Sequence, residues 1–186
     1  MASAAAMTGR ETARYTGVAV ALHWLIAALI VLNLLLGFFH DDVAKAARGT
    51  VMMVHKSTGF TILALSLARL AWRLTHRPPS ADAALQRWEA GLAAATQWVF
   101  YALMIALPLS GWILSSGGGR ATHWFNLFTI PPLAVSKATG HQFGDIHEYL
   151  GWTMLVLLLL HVAGALSHHL RGHRQVLGRM TPWMGR

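Results

Sequence analysis

Four stretches of the chain are long, apolar and nearly free of charge, and the polar positions fall between them. Gly17 to Phe39, Ala90 to Gly119 and Tyr149 to Leu170 contain no Asp, Glu, Lys or Arg. Met52 to Leu74 is apolar apart from His55 and Lys56 near one end and Arg69 and Arg73 near the other. A bilayer-spanning helix needs about 20 apolar residues, and long basic side chains near a helix end snorkel to the headgroups. Each stretch is therefore predicted to span a membrane. The first is too long for the ~7–15-residue apolar core of a cleavable signal peptide and is read as retained. The predicted spans are about 17–39, 52–74, 92–115 and 147–170. They make an all-α integral membrane four-helix bundle, a single membrane domain over residues 1–186.

The connections agree with this division. His40 to Val51 reads as a short polar loop. Thr75 to Glu89, with Pro78-Pro79 and several charges, reads as loop or surface helix. Gly117-Gly118-Gly119 ends the third span, and Pro131-Pro132 lies in the long loop after it. Pro108, inside the third span, is expected to kink it.

Composition sharpens the picture. Hydrophobic residues make up 55% of the chain and charged residues 12%, half the ~25% usual in a soluble domain. A disordered chain would be polar and charge-rich. The net charge of +8 is better matched by anionic lipid headgroups than by nucleic acid, because eight Trp and long uncharged runs accompany it. With no Cys, disulfides, thiolate catalysis and cysteine-held clusters are excluded. Orientation follows the Lys/Arg bias of short loops. Arg10, Arg14, Arg69, Arg73, Arg77, Arg87, Arg171, Arg174, Arg179 and Arg186 lie on one side, and Lys45, Arg48, Lys56, Arg120 and Lys137 on the other. Both termini are thus expected in the cytoplasm, with the protein multi-pass in its membrane.

Eleven His are present, and their placement carries the chemistry. An intramembrane His is costly and marks a candidate site. His23 lies near the cytoplasmic end of span one and His55 near the outer end of span two. His147 and His161 are fourteen residues apart, which puts them on one face of span four about 21 Å apart along its axis. His55 with His147 and His23 with His161 then form two pairs at two depths, the requirement of two bis-imidazole metal centres. His55 and His147 both open the pattern His-x-x-x-Gly-aromatic-Thr. Four residues after each of the four His stands a small residue, Ala27, Gly59, Gly151 or Ala165, leaving room for a flat macrocycle. A bare zinc ion wants three or four protein ligands, whereas haem takes two axial ones. The competing reading is ordinary packing: single helical histidines are mostly satisfied core residues, and small residues are common where membrane helices meet.

The sequence resembles the bacterial cytochrome b561 family, small four-helix dihaem b proteins that include superoxide oxidase. The resemblance rests on Ala21-Leu22-His23-Trp24-Leu25, Val54-His55-Lys56-Ser57-Thr58-Gly59, Ala68-Arg69-Leu70-Ala71-Trp72-Arg73-Leu74, Ala106-Leu107-Pro108-Leu109-Ser110-Gly111, Asp145-Ile146-His147-Glu148 and Leu166-Ser167-His168-His169, in the family's order from about Arg14 to Pro182. It implies two haem b groups, with His23 and His161 ligating the cytoplasmic one and His55 and His147 the outer one. It also implies a ubiquinone site using His168 and the stretch Arg87, Trp88, Glu89, Ala90 and Gly91. Some relatives carry further His early in span three, where this chain reads Ala93-Ala94-Ala95-Thr96-Gln97, and no ligand is placed there.

Several residues keep two readings. His168 faces either a quinone carbonyl or haem propionate, or the headgroups. Arg69 meets a haem propionate, the favoured reading, or snorkels. Lys56 pairs with a propionate or belongs to an anion funnel. His169 and His173 are four apart, a spacing that binds metal on a helix, but they read as a basic headgroup-facing end. Trp72, Trp88, Trp112 and Trp124 read as an aromatic belt. Asp145 and Glu148 read as a solvated helix start, with a proton relay as the alternative. His40, His76, His123 and His141 are placed in loops without a role.

The expected function is electron transfer between the ubiquinone pool and a one-electron partner on the periplasmic side. The favoured partner is superoxide, oxidised to dioxygen while ubiquinone is reduced, because the outer loops carry cations that steer a small anion. The alternative is a cytochrome b carrier subunit that oxidises quinol and passes electrons to a periplasmic redox protein docked on the loop from Gly117 to His141.

Overall fold

A computed structural model describes residues 15–76, 79, 86–171, 178 and 180–181. The basic residues Arg10, Arg14, Arg77, Arg174, Arg179 and Arg186, together with Pro78 and His173, lie outside the described residues. Four long helices run α1 (Gly17–Phe38), α2 (Lys45–Thr75), α3 (Arg87–Gly117) and α4 (Lys137–Leu170), with strands β1 (Thr122–Trp124) and β2 (Phe128–Ile130) between the last two. All four helices are long and apolar enough to cross a membrane.

Lipid is the solvent around this bundle, so its surface is apolar. Leu25, Leu35, Leu159 and Leu160 point outward. The small protein core is one cluster, Ile26, Ile30, Ile62, Tyr101, Leu103, Met104 and Met154. Helix–helix contacts elsewhere use small residues, as membrane bundles do: Ser57, Ser66, Ser110, Ser115 and Ser116 are buried. The tightest crossing joins α3 to α4. A Cβ on Gly117 would stand 2.5 Å from the Gly140 Cα, so only glycine admits this approach.

Three of the helices begin before the hydrocarbon does. α2 starts at Lys45 rather than Met52, α3 at Arg87 rather than residue 92, and α4 at Lys137 rather than residue 147. Apolar length marks the membrane core, whereas a helix ends where its orphan backbone groups find caps. Ser136 accepts from Thr139 N, and Gln86 and Glu89 form a capping box. Asp145 and Glu148 are consequently interior to α4 and not at its start, and the first turn of α4 carries no acid. His141 is helical and His123 sits in β1, so neither is in a loop. α3 continues through Pro108, which leaves the helix one N–H short.

The connection after α3 folds into a hairpin, with Thr122↔Ile130, His123↔Thr129 and Trp124↔Phe128 paired antiparallel. Its turn has Phe125 at φ 45° and Asn126 at φ 59°, closed by Leu127 N donating to Trp124 O at 2.8 Å. Positive φ at both central residues is the twist-compatible hairpin turn. Asn adopts it readily, while Phe pays about 1–2 kcal/mol there. Ser57 of α2 holds the turn in place: its Oγ accepts from Phe125 N at 2.9 Å, and its hydrogen is shared by Met53 O at 2.8 Å and His123 O at 3.2 Å.

Candidate functional site

The helices bring the four intramembrane histidines together in two pairs. His55 of α2 and His147 of α4 have ring centroids 6.2 Å apart with planes at 86°. His23 of α1 and His161 of α4 are 6.4 Å apart at 72°. The first pair lies at the hairpin end of the bundle and the second at the end where α1 begins and α4 finishes. The core cluster separates them, with Met154 midway between His147 and His161.

Three of the rings have a contact at Nδ1. His55 Nδ1 donates to Asn33 O of α1 at 3.1 Å. His147 Nδ1 donates to Leu107 O of α3 at 2.9 Å, with Ser110 Oγ at 3.0 Å. Nδ1–H bound to a backbone carbonyl is the usual support of a metal-ligating imidazole, and it leaves Nε2 for the metal. His23 differs, because its Nδ1 stands 3.0 Å from Arg69 Nη1. Guanidinium can only donate, so Nδ1 of His23 accepts here and the ring proton is on Nε2; ligation of a metal through Nε2 would require that proton to leave and the Arg69 contact to adjust. Arg69 is half-buried, with the buried Tyr101 hydroxyl in hydrogen-bonding reach. It therefore touches the histidine ring itself, a contact that spacing along the sequence did not indicate.

The donor set fits haem. Two imidazoles on opposite sides of one metal, with bonds of about 2.0 Å and ring radii of about 1.1–1.2 Å, have centroids about 6.3 Å apart, and both pairs match. Among the described residues no three His, Asp or Glu side chains converge, as a bare-ion site requires.

Besides the small residues four places along each helix, two glycines on neighbouring helices lie directly against the rings. A Cβ on Gly37 of α1 would stand 2.9 Å from His55 Cε1, and one on Gly111 of α3 would stand 2.9 Å from His147 Cε1. Gly59 and Gly151 look instead at Asn33 and Phe38, at 3.7 and 4.0 Å. Gly37, Gly111, Ser110 and the two carbonyls were missed as functional. The available signal was that Ser110-Gly111 and Gly37 interrupt otherwise large apolar runs.

At the hairpin end, Lys56 donates to Ser115 Oγ at 2.8 Å, and Arg120 folds over Gly118 close by. The two cations are electrostatic neighbours, and among the described residues neither has a carboxylate partner. Arg48 is neutralised by Asp41 at 3.3 Å. At the other end, His168 sits half-buried in the last turn of α4. The antiparallel register marked by Gly117–Gly140 and Gly111–His147 puts it level with residues 89–90. Arg87, Trp88, Glu89, Ala90 and Gly91 form the first turns of α3. Arg87, Trp88 and Gly91 are exposed, and Glu89 is engaged with Gln86 N at 2.9 Å. The four Trp residues of the expected belt each use the indole N–H: Trp72 to Thr16 Oγ1, Trp88 to Gln86 Oε1, Trp112 to Pro131 O and Trp124 to Thr61 Oγ1.

Four apolar helices carrying two opposed histidine pairs at two depths define a class, the membrane cytochromes b. A sequence profile described as prokaryotic cytochrome b561 matches residues 14–183, and the chain belongs to that family. It is 28% identical over 174 residues to cytochrome b561 homolog 2 of Escherichia coli K12, covering 90% of each chain. It is 26% identical over 173 residues to a probable superoxide oxidase CybB of Yersinia pestis, covering 91% of this chain and 96% of that one. It is 27% identical over 156 residues to cytochrome b562 of Cereibacter sphaeroides, covering 78% and 94%. The protein is thus a multi-pass electron-transfer protein of the bacterial inner membrane, and the family implies haem b.

Proposed function

We propose that each histidine pair holds one haem b, His23 with His161 at the cytoplasmic end and His55 with His147 at the periplasmic end, and that the protein oxidises superoxide and reduces ubiquinone. The observation carrying the haem assignment is the pair of ring separations, 6.2 and 6.4 Å. Both termini lie in the cytoplasm in this reading, in keeping with the Lys/Arg excess at that end. Bound haem supplies one-electron chemistry.

The residues do the rest. Asn33 O and Leu107 O fix the periplasmic rings. Lys56 and Arg120, cationic and without carboxylate partners among the described residues, raise the local concentration of a small anion. His168 and the first turns of α3, Arg87 to Gly91, flank the quinone headgroup, with His168 hydrogen-bonding a carbonyl. Two superoxide anions each lose one electron and leave as dioxygen. Ubiquinone gains two electrons and two protons to become ubiquinol, so protons are needed only at the cytoplasmic end.

Stopped-flow mixing of the oxidised protein with superoxide, with and without a ubiquinone analogue, tests this. The haem bands are expected to reduce at near-encounter rates and to reoxidise when quinone is present. The rate should fall with ionic strength, and a Lys56→Gln/Arg120→Gln variant should be about tenfold slower at low salt and nearly insensitive to salt. The second reading, a carrier subunit passing electrons from quinol to a periplasmic redox protein, draws on the exposed Phe125, Leu127 and Phe128 of the hairpin. Slow reduction by superoxide with fast reduction by quinol would select it.

Arg69 sets the potential at the cytoplasmic end. A cation against His23 favours the reduced haem, which carries one positive charge fewer. Arg69→Leu is expected to lower that haem's midpoint by roughly 50–100 mV, from a screened charge interaction of about 1–2 kcal/mol. A spectroelectrochemical titration should show the other haem nearly unmoved.

A further inference from the structure

We propose that the β1–β2 hairpin is seated in lipid: its tip lies at the headgroup–acyl boundary of the leaflet at the hairpin end, with acyl chains packed on Phe125, Leu127 and Phe128. The inference rests on the membrane fold and is independent of haem.

Depth comes first. α1 has 22 residues, about 33 Å at 1.5 Å per residue, which matches a hydrocarbon core of about 30 Å. Its last turn therefore marks the apolar boundary. Gly37 in that turn faces His55, so the boundary runs through the His55 level of α2. The hairpin hangs from below that level. Ser57, which holds Phe125 N and His123 O, is two residues or about 3 Å deeper, and Thr61, which holds the Trp124 indole at 3.2 Å, is about 9 Å deeper. The connection does not rise into water but folds back along α2.

Surface chemistry agrees. Leu127 is 74% exposed, Phe128 55% and Phe125 40%. Residues 121–136 contain no Asp, Glu, Lys or Arg, while Arg120 and Lys137 flank them, where basic side chains reach headgroups.

Backbone accounting agrees as well. Unsatisfied N–H and C=O groups are costly in lipid. Strand pairing and Ser57 take those on the α2 side. Beyond β2, Pro131 and Pro132 have no N–H, Pro131 O accepts from Trp112 Nε1 at 3.2 Å, and Leu133 N donates to Ser116 Oγ at 3.0 Å. The free edge of β2 limits the tip to the boundary and keeps it out of the bilayer centre.

The chain has no cysteine, so Leu127→Cys carries one thiol for a nitroxide spin label. The labelled full-length protein, reconstituted in vesicles of phosphatidylethanolamine and phosphatidylglycerol, would be probed for collisions with oxygen and with a water-soluble nickel chelate. Asp42→Cys in the exposed turn after α1 and Leu35→Cys on the lipid face of α1 are the references. The oxygen-to-nickel ratio at Leu127 is expected to be severalfold above that of Asp42→Cys and comparable to that of Leu35→Cys. A ratio equal to that of Asp42→Cys overturns the proposal and makes the tip a water-facing surface for a soluble partner. Low collision with both reagents overturns it in favour of a second copy of the chain covering the tip. If Leu127→Cys does not assemble, Phe128→Cys carries the same test.

Discussion

Purified His147→Ala protein is expected, on the proposed assignment, to carry one haem b where the parent would carry two, with the signals of the His23–His161 centre retained. In that assignment each centre would have only two protein ligands, and removing His147 also strands the Nδ1 partners that orient its ring. His161→Ala should lose the other haem, so the two variants should have complementary spectra and redox titrations. Since α4 contributes one ligand at each level, the double variant should bind neither. Haem quantified per polypeptide after extraction is the measurement. A His147→Ala protein with parental haem content and an unchanged spectrum would refute the assignment of that pair.

Gly111→Ala is expected to disturb the same centre almost as strongly without touching a ligand. The added methyl would meet His147 Cε1 at 2.9 Å, and the ring cannot slide away while Nδ1 is held by Leu107 O at 2.9 Å and Ser110 Oγ at 3.0 Å. Forcing a group into such a space costs about 1–3 kcal/mol, which lowers haem affinity at that level by roughly tenfold or more. Gly37→Ala should act alike on His55. Gly59→Ala and Gly151→Ala are the controls, because their methyls would meet only ordinary contacts at 3.7 and 4.0 Å. Haem retention during dilution or chelation by apomyoglobin separates the two classes. Parental retention by Gly111→Ala together with loss by Gly151→Ala would invert the account of which glycines matter.

That contrast shows what was legible in the sequence. Depth along a helix follows from a fixed rise per residue, so the pairing of His147 with His55 and of His161 with His23 could be read from spacing once antiparallel spans were assigned. What lies opposite a histidine is decided between helices. No spacing within α4 reveals that Gly111 of α3 faces His147, and small residues four places along the same helix say nothing of that contact. Arg69 was singled out as a buried cation, but its partner is the ring of His23, a contact between α1 and α2. The spans were legible because lipid imposes a length of apolar sequence. The helix ends were not, because Gln86, Glu89 and Ser136 cap in water beyond that length. The hairpin escaped for a different reason: two three-residue strands are too short for an alternating pattern, and Phe125 is a poor signal for a left-handed turn.

The backbone contact of Gly117 with Gly140 has a consequence for how the chain can vary. It closes the two feet of the connection on each other, next to Gly140 N donating to Ser136 O at 3.0 Å. The two ends of the connection are thereby fixed by α3 and α4, whatever the hairpin between them does against α2, and lengthening a closed loop costs little entropy, about 0.6 kcal/mol per doubling. The segment from Gly118 to Val135 is thus a natural graft site: an inserted domain or a foreign loop could replace the hairpin while leaving the alignment of His147 with Gly111 intact, which gives the bundle a modular surface at that end on a fixed frame.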